Sequence, residues 1–210
     1  GLKSRMELDS HANMPVVGNQ AYFLAHTGES AEVKPYNPDY PTKTIPIVDA
    51  AIQYDCPYSD ETCVFIIRNA LYVPSLQINL LPPFVIREAG VALNETPKIQ
   101  RSDPTEEDHS MFFEETGLRV PLSLWGIFSY FPCRIPTRDV LETCENVYLL
   151  TPNKWNPHSD SFAYNEESLL DWEGNVLPKK DRRQFMMNEV DLDPMGNLLL
   201  RSTMIRQTVS

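Results

Sequence analysis

Apolar residues along this chain fall into short runs separated by proline, serine, asparagine and aspartate, a pattern that predicts strands more than helices. Residues 5–27 read as short strands around a turn at Asp9, and the aromatic run Gln20–His26 is stopped by Thr27-Gly28-Glu29. Residues 34–46 hold Pro35, Pro38, Pro41 and Pro46 and predict a loop or an irregular edge. The clearest signal is a hairpin: Thr44–Tyr54, a D-C-P-Y-S-D-E-T turn, then C-V-F-I-I-R-N-A-L-Y-V-P. Ile78–Leu81 predicts a short strand. Pro83 suits a first helical position, Phe84–Ala89 gives two helical turns, and Gly90 suits the residue after the helix end. Val91–Leu93 returns to extended chain.

Beyond Pro97 the texture changes. Residues 101–108 read as a polar, acidic, solvated linker that includes Glu106-Glu107-Asp108. Strands are expected at Met111–Phe113, at Leu118–Phe131 with an interruption at Pro121, and at Val147–Leu150. A short helix is expected at Thr137–Cys144 with Thr137 as its N-cap, another at Glu166–Trp172, and a last strand at Leu198–Ile205. The aromatic cluster of Trp125, Phe128, Tyr130 and Phe131 suits a core strand or a dimer surface better than a peptide groove. No internal repeat or low-complexity tract occurs.

Composition sharpens this picture. Eighteen prolines against eight glycines in 210 residues argue against long helices. A net charge of −11 opposes nucleic acid and anionic membrane surfaces as direct partners; the basic cluster Lys179-Lys180-Asp181-Arg182-Arg183 suits a solvated turn. No apolar run reaches the length of a membrane span, and no leader is visible. The first residue is Gly1 rather than Met, which suggests a piece of a longer chain. Cys56, Cys63, Cys133 and Cys144 make no C-x-x-C pair, so free thiols are expected, although Cys56 and Cys63 flank a turn and could face each other. His11, His26, His109 and His158 lack metal-ligand spacing with one another, no metal is expected, and structural roles are favoured. Nucleotide-binding and G-x-S-x-G motifs are absent.

The stretch E-L-D-S-H-A-N-M-P-V-V-G, from Glu7 to Gly18, places an aspartate directly after a leucine. Downstream comes L-Y-V-P-S-L-Q-I-N-L-L, from Leu71 to Leu81, and then the short helix ending near Gly90. This order resembles a retropepsin, and the two motifs together are similar to the protease region of copia-type retrotransposon polyproteins. The resemblance covers about residues 7–95. It implies a mainly β fold: a retropepsin-like β-barrel with a flap hairpin and one short helix over residues 1–96. Residues 97–210 then form a β-rich extension with short helices, packed on that domain, of unknown role.

The same resemblance implies an aspartic endopeptidase that cuts a polyprotein, without a cofactor. Asp9 would be the catalytic carboxylate, one from each chain of a homodimer. Ser10 would brace the two active loops, with His11 and Ala12 completing the turn. The hairpin at 44–69 would be the flap, with Ile52, Tyr54 and Phe65 facing substrate. The implied location is the cytoplasm, or virus-like particles within it. Three departures bear on activity: His11 and Pro82 stand where the family has glycine, and the flap has no glycine-rich tip. They favour the alternative, an inactive retropepsin-like domain used for binding or assembly. An unrelated β-rich interaction protein is a third reading. A second D-S-x-A, Asp160-Ser161-Phe162-Ala163, lacks an apolar strand before it and reads as coincidence.

Overall fold

A computed structural model describes residues 4–35, 37–153 and 170–176. Its elements are mainly strands. β1 (Arg5–Leu8) leads to β2 (Val16–Val17), β3 (Tyr22–Val33), β4 (Lys43–Asp55), β5 (Thr62–Tyr72) and β6 (Asn79–Leu81). Then follow α1 (Pro83–Glu88), β7 (Ala92–Asn94), a 3-10 turn at Lys98–Gln100, β8 (Ser110–Phe113), β9 (Leu118–Pro121), β10 (Ser123–Trp125), β11 (Phe128–Pro132), α2 (Arg138–Thr143) and β12 (Val147–Leu149). Among the described residues, no helix is long and apolar enough to cross a membrane.

The large sheet runs β10-β11-β1-β6-β2-β5-β4-β3, with β12 also paired to β5. β4 takes one edge of β5 from Thr62 to Leu71. The other edge is shared by β12, at Val64–Ile66, and β2, at Leu71 and Tyr72. Between them the Arg68 N–H donates to the Thr151 hydroxyl at 3.0 Å. A small sheet, β7-β8-β9, lies apart from this ladder. Strands from beyond residue 97 are therefore woven into the same sheet as the Asp9 region: β11 pairs antiparallel with β1.

The expected barrel is corrected here. Closure requires the first and last strands to meet. Among the described residues no ladder joins β3 to β10, and the sheet stays open.

The core explains why these runs become strands. Alternate residues of β4 (Ala50, Ile52, Tyr54) and β5 (Cys63, Phe65, Ile67) face one side and meet Met6, Leu8, Leu81, Ile86, Met111, Phe131 and Leu150. Phe65 is the aromatic centre, with ring centroids of Tyr54, Phe113, Phe131 and Tyr148 all within 6 Å. On the other face Ala51, Val64 and Ile66 cluster with Val147 and Leu149 of the neighbouring β12 and with Leu141 of α2. Both faces of this hairpin are therefore buried, which accounts for its nearly continuous apolar sequence.

Several local expectations differ from the structure. Thr27-Gly28-Glu29 does not end β3. Gly28 takes φ +87° within a register shift between His26 and Ser30, and the Thr27 hydroxyl donates to the Ile47 carbonyl at 2.8 Å. The strand bulges and continues to Val33. Leu118–Phe131 is three strands, broken after Pro121 and by a turn at Gly126, φ +61°. The acidic linker is partly internal. Asp108 is 7% exposed because Thr105, Asn94 and Arg101 hold its carboxylate. Pro83, Gly90 (φ +84°) and the Thr137 cap, which accepts from Val140 N–H, stand where the sequence puts them. Of the expected helix at 166–172, only 170–172 are described, and they enter a turn bridged by Leu170 and Val176. The strand at 198–205, the motif at 160–163, His158 and the basic cluster at 179–183 lie outside the described residues.

Candidate active site

β6 is three residues long and is held on both sides by the segment that contains Asp9. Its neighbour β1 runs parallel to it, with Leu8 opposite Leu81. Its other neighbour β2 runs antiparallel, with Val16 opposite Leu80. The chain thus leaves one edge of β6 at Leu8, turns, and returns on the other edge at Val16. Asp9 is the first residue of that turn. Its N–H donates to the Leu81 carbonyl at 3.1 Å and prolongs the β1–β6 ladder by one bond.

The turn is tied locally. Ala12 N–H donates to the Asp9 carbonyl at 3.3 Å, and His11 N–H donates to Asp9 Oδ1 at 3.0 Å. A short carboxylate that caps its own turn in this way fixes its own rotamer. Asp9 and Ala12 are half-buried, while Ser10 and His11 are exposed. The His11 ring does not bond to the carboxylate; its Nδ1 lies 3.4 Å from Ser10 Oγ. The backbone of His11, not its imidazole, is what orients Asp9.

Two residues behind the turn do work that the motif letters did not disclose. Asn79, fully buried, accepts from Gly18 N–H through Oδ1 at 3.0 Å. Gly18 packs so closely on the next loop that a Cβ there would lie 2.2 Å from the Leu76 carbonyl oxygen. Asn19 N–H donates to that same oxygen at 2.9 Å. The spacing of Leu76, Asn79 and Leu81 in the L-x-x-N-L-L stretch therefore reflects one device that locks the exit of the Asp9 turn onto β6. The signal was present: Gly18 closes the first motif, and Asn79 is the single polar residue in an apolar strand.

The three expected substrate contacts are not there. Ile52, Tyr54 and Phe65 are 0%, 1% and 0% exposed and lie in the main core. They face inward because β4 and β5 are central strands with elements packed on both faces. The neighbouring hairpin, where β3 meets β4, also ends in exposed chain. Among the described residues of 34–42, all but the half-buried Pro35 are exposed. The base of this arm packs on the Asp9 segment: Ala31, Val33, Ile45 and Ile47 meet Met14, Val16 and Leu71.

Other chemistry is sparse. Among the described residues, no group of three or more His, Cys, Asp or Glu side chains could hold a metal ion. His109 is buried, with Nε2 2.8 Å from Ser129 Oγ, and ties the loop before β8 to β11. Burial holds its ring below the ordinary histidine value. Comparison with protein-family models, with curated proteins and with solved structures gives no match.

Proposed function

We propose that this chain is an aspartic endopeptidase of retropepsin type that acts as a homodimer on a polyprotein, in the cytoplasm or in virus-like particles. The observation that carries the proposal is the half-exposed Asp9 carboxylate on a turn fastened to both edges of β6. A carboxylate held this firmly suits a reaction in which two such groups sit about 3 Å apart and share one proton. One would then activate water while the protonated partner polarises the scissile carbonyl. A second copy supplies the second carboxylate across a two-fold axis. Exposed Ser10 is available to brace that contact. The covering role falls to the free end of the β3–β4 arm, since its base rests on the Asp9 segment.

A longer precursor at mildly acidic pH provides the test. Wild type is expected to process its junctions and Asp9→Asn is not. Equal processing by both removes the enzyme reading. The second reading, an inactive assembly module, is favoured by the exposed His11 beside Asp9 and by Pro82, which lacks an N–H. A solution mass of two chains without any cleavage by wild type would establish that reading instead.

A further inference from the structure

The β4–β5 turn carries chemistry that the Asp9 site leaves unused. Tyr54 is paired with Cys63 in the ladder and Asp55 with Thr62; Cys56 comes next, its N–H donating to the Glu61 carbonyl at 3.0 Å. Residues two apart on a strand share a face. Tyr54 and Cys63 belong to the main core, and Cys56 packs against it from the turn. Cys63 is 1% exposed, Cys56 is half-buried, and both thiols are free. A second feature belongs to Tyr54, the ladder partner of Cys63. The Tyr54 hydroxyl is buried with no hydrogen-bond partner among the described residues.

We propose that Cys56 and Cys63 form an oxidisable dithiol site, in which a peroxide oxidises Cys56 and Cys63 then closes the disulfide. The two cysteines divide the work by access. Burial pushes the Cys56 thiol up, but hydrogen bonds from the Ser59 hydroxyl and from the backbone of Tyr58 and Ser59 outweigh it and hold the thiol below its ordinary value. Thiolate character and exposure mark the reactive sulfur. Burial pushes the Cys63 thiol up to about 12, which keeps it protonated and out of reach of oxidants in solution.

In the first step the Cys56 thiolate attacks one peroxide oxygen. An S–O bond forms, the O–O bond breaks, and hydroxide leaves, giving a sulfenic acid. In the second step the Cys63 sulfur attacks Cys56. The S–S bond forms, the S–O bond breaks, and the departing hydroxide takes the Cys63 proton as water. The unpartnered Tyr54 hydroxyl is a donor for that departing oxygen.

Diagonal neighbours in a ladder lie about 7–8 Å apart between Cα atoms, against about 4.4–6.8 Å in a disulfide. The exposed turn at 57–60 must therefore tighten by roughly an ångström. Cys144 is the competitor. It also influences Cys63 but packs on the opposite face with Val64 and Ile66, and its thiol donates to the Thr62 carbonyl at 3.3 Å. Asp55, Asp60 and Glu61 around the turn disfavour anionic glutathione disulfide and leave neutral hydrogen peroxide as the preferred oxidant.

The experiment treats the full chain with hydrogen peroxide, with and without dimedone, and maps the cysteine peptides by mass spectrometry. Wild type is expected to yield a Cys56–Cys63 linked peptide, Cys63→Ala a dimedone adduct on Cys56, and Cys56→Ser neither. Tyr54→Phe is expected to slow bridging several-fold while dimedone capture at Cys56 is unchanged. A Cys63–Cys144 link in wild type overturns the proposal, as does labelling of other cysteines in preference to Cys56. The wild-type map decides this even where a variant fails to fold. An unchanged bridging rate in Tyr54→Phe overturns the role given to its hydroxyl.

Discussion

Replacing Gly18 with alanine tests whether the Asp9 turn is locked onto β6 as described. The added Cβ would meet three backbone atoms: Leu76 O at 2.2 Å, Leu76 C at 2.8 Å and Ile78 O at 2.9 Å. None is the movable end of a side chain, so the backbone at 76–78 or at Gly18 must retreat by more than an ångström to reach ordinary contact, about 3.5 Å. Overpacking of this kind costs about 1–3 kcal/mol. The retreat also pulls Gly18 N–H from Asn79 Oδ1 and Asn19 N–H from Leu76 O. Stranding the fully buried Asn79 adds about 1–3 kcal/mol. The sum, about 2–6 kcal/mol, is a large part of the ~5–15 kcal/mol that holds an ordinary domain together.

Urea unfolding followed by far-ultraviolet circular dichroism measures it. Gly90→Ala is the control: Gly90 has φ +84° but open space around its Cβ, so only the left-handed backbone is strained, at about 1 kcal/mol. A loss below about 1 kcal/mol for Gly18→Ala, or equal losses for the two variants, would refute the close-approach argument. Asn79→Ala should be sub-additive with Gly18→Ala, because both remove the same bond.

Other outcomes follow from the same geometry. Asp9→Asn keeps an acceptor for His11 N–H, so its unfolding midpoint should stay within about 0.5 kcal/mol of wild type even though cleavage is lost. Tyr54→Phe removes a buried hydroxyl without a partner among the described residues and should leave stability unchanged or raise it by about 1 kcal/mol in thermal denaturation, with no effect on peptide cleavage. The Arg134 guanidinium, hydrogen-bonded to Asp55 at 2.7 and 3.0 Å, holds that carboxyl below its ordinary value of 3.8. The unfolded chain binds the proton more readily, so this pair's contribution is complete above pH 3.8 and fades as pH falls further. Both groups are about half exposed, so Asp55→Asn should remove less than about 1 kcal/mol at neutral pH and flatten the acid slope. His109, held below 6.5 by burial, should make the fold lose stability as pH drops below 6.5 toward its lower folded value, and NMR titration of its ring should show that lowered midpoint.

Local physics made much of this fold legible in the sequence. Proline and glycine placed α1 because a missing N–H at Pro83 and a left-handed turn at Gly90 are properties of single residues. Alternation and β-branched runs marked β4 and β5, and the Asp-Ser pair after Leu8 marked a turn at Asp9. Tertiary structure decided the rest. Whether Ile52, Tyr54 and Phe65 face a substrate or the core depends on what covers the hairpin, and much of that cover, such as Met6, Met111, Phe131 and Leu150, comes from distant parts of the chain. The buried state of Asp108 depends on Arg101 and Asn94 folding back over it. Gly18 and Asn79 read as an ordinary glycine and an ordinary polar residue until β6 lies between β1 and β2. Sequence by itself determined most of which segments extend or turn, because those preferences are summed over neighbours. Only the packed sheet decided which faces are buried and which polar groups meet, because burial and hydrogen bonding are set by what arrives from far along the chain.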